Sequence, residues 1–289
     1  MYDFVVVGAG PAGSRFARSA ADAGYDVVVY DQGEIGKPLA CSGHVSLDIW
    51  EFVPDDAKSR LFQNAIRGAR FHVDGPGSTA YPFYKDNPVS NAIDRVGLDK
   101  TLAEVASAHG AEVKDNHTVT NVTETSGCVQ VTVKTPDDTV TVESRMVAGC
   151  DGPQSRVRRA LELPAPAEQL HGVLGFDETP DHDDFVDVHL TVPGFFAWRI
   201  PRGSAGVEYG LAASPTESVP SRFETLVSAY SASITTRCSG GIPIGAPDRI
   251  TTDRGFLIGD AAGQTKPFTG GGILYGMNAA DLAAETIDP

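Results

Sequence analysis

The chain has 289 residues, enough to bury a sizeable core and too many for one simple βαβ sheet. Its formal net charge of −15 disfavours nucleic-acid binding, which depends on neutralising phosphates. No apolar run approaches the roughly 20 residues that span a bilayer, and no signal peptide precedes the first predicted strand, so we expect a cytoplasmic protein.

The first predicted elements alternate between strand and helix. Residues 3–7 form an apolar run typical of a buried parallel strand. A glycine loop and a helix over 12–23 follow, and residues 26–30 predict the second strand. Residues 34–60 predict a long loop and then a helix.

The middle of the chain predicts strands at 69–73 and 79–83, around a turn rich in Gly and Pro. A helix over 99–109 follows. Period-two alternation at 128–134 and 139–143 predicts a β-hairpin, and 145–150 predicts a strand that returns to the first sheet.

From residue 164 to 250 the chain shows short strands and Pro/Gly turns, with one helical stretch near 219–231. This pattern indicates a second, mostly antiparallel sheet. Residues 256–258 predict a last buried strand, and 270–284 predict a loop that opens into a helix.

The run from Gly8 to Gly13 matches G-x-G-x-x-G between a strand and a helix, and Asp31 follows at the end of the second strand. In this context the motif indicates a dinucleotide site. Gly8 permits the tight turn, Gly10 lets the backbone approach a pyrophosphate, and Gly13 lets the helix pack closely. The helix N-terminus attracts the phosphates, and Asp31 suits ribose hydroxyls but repels a 2′-phosphate.

A second glycine-rich segment separates FAD from NAD. Gly259-Asp260 ends a predicted strand, where the carboxylate is suited to ribityl hydroxyls. The loop Gly270-Gly271-Gly272, with Ile273, opens a helix whose positive end would face the flavin pyrimidine edge. A flavin needs this second cradle, so we predict FAD as the cofactor.

Further segments carry a family resemblance: Pro38 to His44, Asp94-Arg95-x-x-x-Asp99, Cys150-Asp151-Gly152 and Pro193 to Pro201. With the two glycine motifs, they make the chain resemble the geranylgeranyl reductase family of FAD proteins, within the group that includes p-hydroxybenzoate hydroxylase. The segment from Pro193 is similar to that family's P-x-x-Y-x-W-x-F-P, with Phe196 in place of Tyr. Archaeal members saturate the isoprenoid chains of membrane lipids.

The resemblance implies an α/β fold, in which a Rossmann-type FAD-binding domain (1–68, 90–160 and 251–289) interleaves with a mostly antiparallel substrate domain (69–89 and 161–250). Family members continue well beyond the position of Pro289, so we expect a truncated or a short member. The acidic composition indicates a halophilic source, where a Debye length of about 3 Å lowers the cost of like charges. A mildly acidic bacterial enzyme is the alternative.

The resemblance also implies the residues that contact FAD: Ala12, Asp31, Cys41, Ser42, His44, Arg95, Val119, Asp260, Gly272 and Ile273. Val119 would act through its backbone near the adenine, and Cys41 would lie near the isoalloxazine ring. A surface arginine at a helix start is the alternative for Arg95, and a small buried thiol is the alternative for Cys41.

The activity that the resemblance implies is hydride transfer from reduced FAD to an isoprenoid double bond, with a proton added to the other carbon. Cys41 and His44 are the candidate proton donors, and Phe195, Phe196 and Trp198 are candidates to line a lipid tunnel. Core packing is the alternative for these aromatic residues.

The implied partners are an isoprenoid lipid and an electron donor, either NAD(P)H or a ferredoxin-like carrier, with peripheral contact to a membrane surface. An aromatic hydroxylase and a flavoprotein electron carrier remain alternatives, and a flavin halogenase is a weaker one. The four cysteines form no C-x-x-C pair and accompany no His cluster, so we expect no metal site and no disulfide framework.

Overall fold

The computed structural model describes residues 1–39 and 41–289. Ala40, within the segment from Pro38 to His44, lies outside the described residues. The helices are α1 (Pro11–Asp22), α2 (Asp55–Leu61), α3 (Arg95–Ala108), α4 (Arg156–Ala160), α5 (Val219–Ala229) and α6 (Ile273–Thr286). Short 3-10 turns cover Leu47–Glu51 and Gly259–Ala262.

The strands form three sheets. They are β1 (Tyr2–Val7), β2 (Val27–Tyr30), β3 (His44–Ser46), β4 (Phe62–Ile66), β5 (Gly68–His72), β6 (Ala80–Tyr84), β7 (Ser90–Ile93), β8 (Glu112–Lys114), β9 (Thr118–Glu124), β10 (Val129–Lys134), β11 (Thr139–Gly149), β12 (Glu168–Asp177), β13 (Phe185–His189), β14 (Ala197–Pro201), β15 (Val207–Ala213), β16 (Thr236–Ile244) and β17 (Gly255–Leu257). The α/β fold class and the mostly antiparallel second sheet are confirmed.

The described chain divides into two compact units. Unit 1 holds Met1–Pro38, Val96–Glu168 and Pro243–Pro289, and unit 2 holds Leu39–Arg95 and Gln169–Ile242. These bounds differ from the division that the sequence predicts, because residues 39–68 and 90–95 fall in unit 2 and residues 161–168 and 243–250 fall in unit 1. In unit 2, β7 pairs with β3 on one side and with β4 on the other, in a small sheet. The functional role of each unit stays a prediction.

The sheet of unit 1 has the order β8-β2-β1-β11-β10-β9, with β17 also paired to β11. The pairs among β8, β2, β1, β11 and β17 are parallel, as buried apolar runs predict. On one face, the edge-to-face rings of Phe4, Phe16 and Phe256 join α1 to the sheet. The carboxyl ends of β1, β2 and β11 therefore meet at one edge.

Strand β11 is longer than the sequence indicates, since two strands at 139–143 and 145–150 are expected and one strand forms. Its first half pairs antiparallel with β10, and its second half pairs parallel with β1 and β17. The residues at the start of β11 are largely exposed, and the last three residues are buried. The two halves therefore show different hydrophobic patterns although the backbone is continuous.

Helices α1 and α6 of unit 1 are joined by a polar clamp. Asp281 accepts hydrogen bonds from Arg15 Nε at 2.6 Å and Nη2 at 2.8 Å. The Ser19 hydroxyl donates to the same carboxylate at 2.9 Å. This fixes the last helix of the chain against the glycine-loop helix.

The large sheet of unit 2 has the order β16-β12-β15-β14-β13-β5-β6. Most pairs are antiparallel, and β13 and β5 are parallel. Helix α5 covers one face, where Val207, Tyr209 and Leu211 of β15 pack with its Phe223 and Leu226. Successive residues of a strand point to opposite faces, so the other face is lined by the alternate residues of the same strands.

Candidate active site

The glycine loop between β1 and α1 is formed by contacts that require glycine. Gly8 has a φ of +99°, and a Cβ there would lie 2.5 Å from the Cys150 carbonyl oxygen. A Cβ on Gly13 would overlap the Gly8 carbonyl oxygen. Gly10 differs, because no atom lies within 4 Å of a Cβ built on it. The loop therefore leaves space beside the N-terminus of α1, where backbone N–H groups favour an anion.

Asp31 follows β2, and two backbone amides fix its carboxylate. The Ala9 N–H donates to Oδ2 at 2.8 Å, and the Gly33 N–H donates to Oδ1 at 3.2 Å. A cavity of about 230 Å³ opens beside it, and its lining includes Gly8, Gly10, Asp31, Val119, Arg156 and Arg159. A carboxylate held at a cavity wall is placed to accept hydrogen bonds from ribose hydroxyls.

Sequence reasoning missed two arginines of this cavity, Arg156 and Arg159. The Arg156 side chain donates from Nη1 to the Val119 carbonyl oxygen at 3.1 Å, so that carbonyl already has one donor. The signal in the sequence is the position of both arginines shortly after Asp151-Gly152, at the carboxyl end of β11. They add positive charge to the wall that the glycine loop shares.

Asp151 lies in the same cavity lining and caps the start of α4. Its Oδ2 accepts N–H groups from Arg156 at 2.6 Å and Val157 at 3.2 Å. Its Oδ1 is buried and has no hydrogen-bond partner within residues 1–39 and 41–289. A buried carboxylate oxygen without a donor is costly, so this atom carries a local energetic penalty within unit 1.

The second glycine segment also lies in unit 1. Gly259 has a φ of +70°, and a Cβ there would lie 3.0 Å from the Ala12 Cβ on α1. Asp260 follows it, and its Oδ1 would be 2.7 Å from a Cβ on Gly272. The structure thus brings Ala12, Asp260 and Gly272 into one neighbourhood, although they are far apart in sequence.

The loop before α6 closes on itself through backbone bonds. The Gly270 N–H donates to the Lys266 carbonyl at 2.8 Å, and the Lys266 N–H donates to the Gly271 carbonyl at 3.1 Å. Helix α6 then begins at Ile273, after Gly272, with no side-chain cap on its first amides. Its N-terminus is therefore a second place where free N–H groups favour negative charge.

The segment from Cys41 to His44 belongs to unit 2. Cys41 is exposed, and the Ser42 Oγ accepts the His44 backbone N–H at 3.1 Å. The His44 Nε2 hydrogen-bonds with the Ser90 hydroxyl at 2.7 Å on β7. Burial lowers the pKa of His44 to about 4. The imidazole is therefore neutral near pH 7, which favours another group as the proton donor.

Arg95 begins α3 and belongs to unit 2. Its exposed fraction is 6%, so it is not a surface arginine at a helix start. Its contact with FAD stays a prediction.

The face of the large unit 2 sheet that points away from α5 is apolar. Phe71, Val188 and Trp198 stand in one cross-strand row that continues to Gly210. Tyr81 and Phe83 extend this side at the edge strand β6, with exposed fractions of 54% and 66%. We call this side the aromatic face; it carries Phe71, Tyr81, Phe83, Val188, Trp198, Ile200, Glu208 and Gly210.

The predicted aromatic residues lie at one end of this face. The Phe195 and Phe196 rings are stacked 4.3 Å apart, and the Phe196 ring lies edge-on to Trp198 at 5.7 Å. A Cβ on Gly210 would overlap the Trp198 indole, so glycine lets the indole lie across β15. Phe195 and Phe196 are half-buried and Trp198 is buried, so the latter also serves as core.

Sequence reasoning also missed Glu208, a carboxyl group inside the apolar strand β15. The Trp198 Nε1–H donates to its Oε1 at 2.9 Å. Burial raises the pKa of Glu208, while hydrogen bonds from Trp198, Ser42 and Gly43 and the charge of Arg202 oppose that rise. The signal in the sequence is a single charged residue within the otherwise uncharged run of β15.

The opposite face holds a buried polar cluster beneath α5. The His72 and Asp187 side chains hydrogen-bond at 2.9 Å, and His189 hydrogen-bonds with the Tyr230 hydroxyl at 2.9 Å. The His72 and His189 rings lie 4.7 Å apart. Burial and the neighbouring His72 lower the pKa of His189 to about 4. This cluster belongs to the α5 side and is separate from the aromatic face.

The described part of the chain holds no group of three or more His, Cys, Asp or Glu side chains arranged to bind a metal ion. None of its helices is both long enough and apolar enough to span a membrane.

Comparison with known proteins adds independent evidence. Residues 60–234 match the family model described as an FAD binding domain. The chain is 30% identical to the digeranylgeranylglycerophospholipid reductase of Methanothrix thermoacetophila, over 99% of this chain and 77% of that protein. It is 31% identical to digeranylgeranylglycerophospholipid reductase 2 of Methanopyrus kandleri, over 99% and 78%.

A solved structure shows the same architecture. The geranylgeranyl bacteriochlorophyll reductase-like protein of Thermoplasma acidophilum superposes with a TM-score of 0.88 at 26% identity. The alignment covers 98% of this chain and 77% of that chain.

Proposed function

The chain belongs to the family of FAD-binding digeranylgeranylglycerophospholipid reductases, and from this premise we propose that it reduces C=C bonds in the isoprenoid chains of membrane lipids. The observation that carries the proposal is the identity of about 30% over nearly the whole chain to reductases of that name. A hydroxylase has weaker support, because the relatives at about 30% identity named above are reductases.

Unit 1 fits FAD on its own residues. Gly10 leaves open space at the helix N-terminus for the pyrophosphate, and Asp31 presents a fixed carboxylate for the adenosine ribose. Asp151 lines the same cavity beside the glycine loop. Arg156 and Arg159 add positive charge for the phosphates.

The flavin end is assigned to the second glycine segment. Asp260 would accept hydrogen bonds from the ribityl hydroxyls, and the backbone of Gly270, Gly271, Gly272 and Ile273 would hold the pyrimidine edge. The uncapped amides at the start of α6 favour negative charge there. Cys41, Ser42, His44, Arg95 and Val119 complete the proposed contacts. When bound and reduced, FAD supplies the hydride that alkene reduction needs.

The aromatic face of unit 2 is the proposed binding surface for the isoprenoid chain. Phe71, Val188, Trp198 and Phe196 give apolar and aromatic contacts with few polar groups, as a prenyl tail requires. Such a surface excludes water from the double bond, which strengthens the electrostatic interactions of a nearby acid.

The partners that this chemistry requires are a lipid and an electron donor. We propose NAD(P)H or a ferredoxin-like carrier as the donor. We also propose peripheral contact with a membrane surface from the cytoplasmic side, because the substrate is a membrane lipid.

The test uses the FAD-loaded chain reduced with dithionite under anaerobic conditions and mixed with digeranylgeranylglycerol phospholipid in detergent. Mass spectrometry should show products heavier by two hydrogens for each bond reduced. The oxidised protein is the control and should leave the lipid unchanged. If the reduced protein binds FAD and yields no saturated product, the reductase function is refuted.

A further inference from the structure

The proposed reduction needs a proton donor, and the fold buries one carboxyl group on the proposed substrate surface. Glu208 has an exposed fraction of 1%, in a strand whose seven residues are all buried. An ionised carboxylate in such surroundings is costly unless it is fully paired. Burial accordingly raises the pKa of Glu208, although hydrogen bonds from Trp198, Ser42 and Gly43 and the charge of Arg202 oppose that rise.

The side chain is held in place by its neighbours in unit 2. The Trp198 indole donates to Oε1 at 2.9 Å, and the Ser42 hydroxyl and the Gly43 amide also hydrogen-bond to this carboxyl group. Trp198 can reach it because Gly210 leaves space for the indole. This acid of the aromatic face is therefore fixed against the Cys41–His44 segment.

Ser42 connects this acid to an accessible region. It is half-buried, its Oγ accepts the His44 N–H, and Cys41 beside it is exposed. A serine hydroxyl accepts one proton and donates another, so it can pass a proton along without a net change of its own. The buried acid of the aromatic face therefore has a route through Ser42 to the exposed part of the Cys41–His44 segment.

Among residues 1–39 and 41–289, Arg202 and Cys238 are the charged or titratable groups that interact electrostatically with Glu208. Arg202 is held by Gln63, whose Oε1 accepts the Arg202 Nε–H at 2.9 Å, and Asp94 acts on the same guanidinium. The guanidinium would stabilise the carboxylate once its proton has left. Cys238 has a raised pKa from burial and stays a neutral thiol.

We propose that Glu208 is the acid that protonates the alkene, through the hydroxyl of Ser42; this inference rests on the proposed function. Ser42 would take the Glu208 proton and give its own proton to one alkene carbon; reduced FAD, when bound, would supply the hydride for the other carbon as the π bond breaks. The carboxylate then regains a proton from water. The proposed external electron donor restores the two electrons.

The test compares Glu208→Gln with Glu168→Gln, which changes an exposed carboxyl at the start of β12. First, the infrared spectrum of the FAD-loaded protein at neutral pH should show a protonated-carboxyl C=O stretch. This band should disappear in Glu208→Gln and remain in Glu168→Gln. If the band is absent from the wild type, Glu208 is ionised and the inference is refuted without any measurement of activity.

Second, single-turnover reoxidation of the reduced protein by the lipid should slow about 100-fold or more in Glu208→Gln, the range of general acid catalysis. FAD binding and dithionite reduction should stay unchanged, and Glu208→Asp should recover part of the rate. Should Glu208→Gln fail to fold, Ser42→Ala is tested instead, with its bound FAD brought to the wild-type amount by added FAD. At equal FAD occupancy it should keep the infrared band and lose the rate.

The outcomes separate the two proposals. A wild-type protein that gives no saturated lipid refutes the proposed function and this inference with it. A wild-type protein that saturates the lipid, with Glu208→Gln or Ser42→Ala at the wild-type rate, refutes this inference and leaves the reductase function standing.

Discussion

A methyl group added at Gly13 should lower the stability of the fold, whereas one added at Gly10 should weaken FAD binding. In Gly13→Ala the new Cβ would overlap the Gly8 carbonyl oxygen, which is backbone and cannot turn away. Overpacking of this kind costs about 3 kcal/mol, and the lower unfolded-state entropy of Ala returns about 0.4–1 kcal/mol. We therefore expect the FAD-free variant to lose about 2 kcal/mol in its free energy of unfolding.

In Gly10→Ala the new methyl meets nothing within 4 Å, and its φ of −69° suits Ala. We expect its free energy of unfolding without FAD to stay within about 1 kcal/mol of the wild type, since the loss of an N-cap glycine and the entropy gain offset each other. FAD affinity should fall at least about 10-fold, or about 1.4 kcal/mol, because the methyl occupies the proposed pyrophosphate position.

Urea unfolding of the FAD-free proteins and FAD titration by fluorescence quenching measure the two quantities separately. If Gly10→Ala binds FAD as tightly as the wild type, the pyrophosphate does not lie against this loop. If Gly13→Ala is as stable as the wild type, the close approach of α1 to Gly8 is not rigid and the reasoning fails.

Other predictions concern stability. Burial lowers the pKa of His189 from 6.5 to about 4, so the folded state binds fewer protons than the unfolded state. The free energy of unfolding should therefore fall by about 3 kcal/mol as the pH falls from 6.5 to 4. Urea unfolding at several pH values should show a smaller fall in His189→Gln. Asp281→Ala removes the partly buried contact with Arg15 and should cost about 1–2 kcal/mol, whereas the exposed Glu285→Ala should cost under about 0.5 kcal/mol in the same assay. With a net charge of −15, the thermal unfolding midpoint should rise steadily from dilute to molar KCl; a flat profile would contradict the halophilic interpretation.

The sequence is informative where structure is local. Residues 8–13 lie next to one another in the chain, so a strand, a tight turn and a helix N-terminus follow directly from the residue types. The hairpin of β10 and β11 likewise follows from alternation over a few residues. The continuity of β11 is missed, because its two halves have different neighbours and therefore different burial patterns.

The candidate site is predicted less completely, since its geometry joins distant residues. Arg156 reaches Val119 across 37 positions, and this contact depends on how α4 packs against β9. In the sequence, Glu208 is an acidic residue within an apolar strand. Nothing local indicates that the Trp198 indole, the Ser42 hydroxyl and the Gly43 amide hydrogen-bond to it. Pairing across strands decides these contacts, and the pairing register is a property of the whole sheet.

By itself, then, the sequence determines the glycine loop, the acidic residue after β2 and the second glycine segment, because each depends on backbone conformation over a few residues. The tertiary structure decides which side of the second sheet α5 covers and on which side Glu208 lies. Strand alternation offers two faces, and the packing of α5 against Val207, Tyr209 and Leu211 leaves the other to Trp198 and the buried acid.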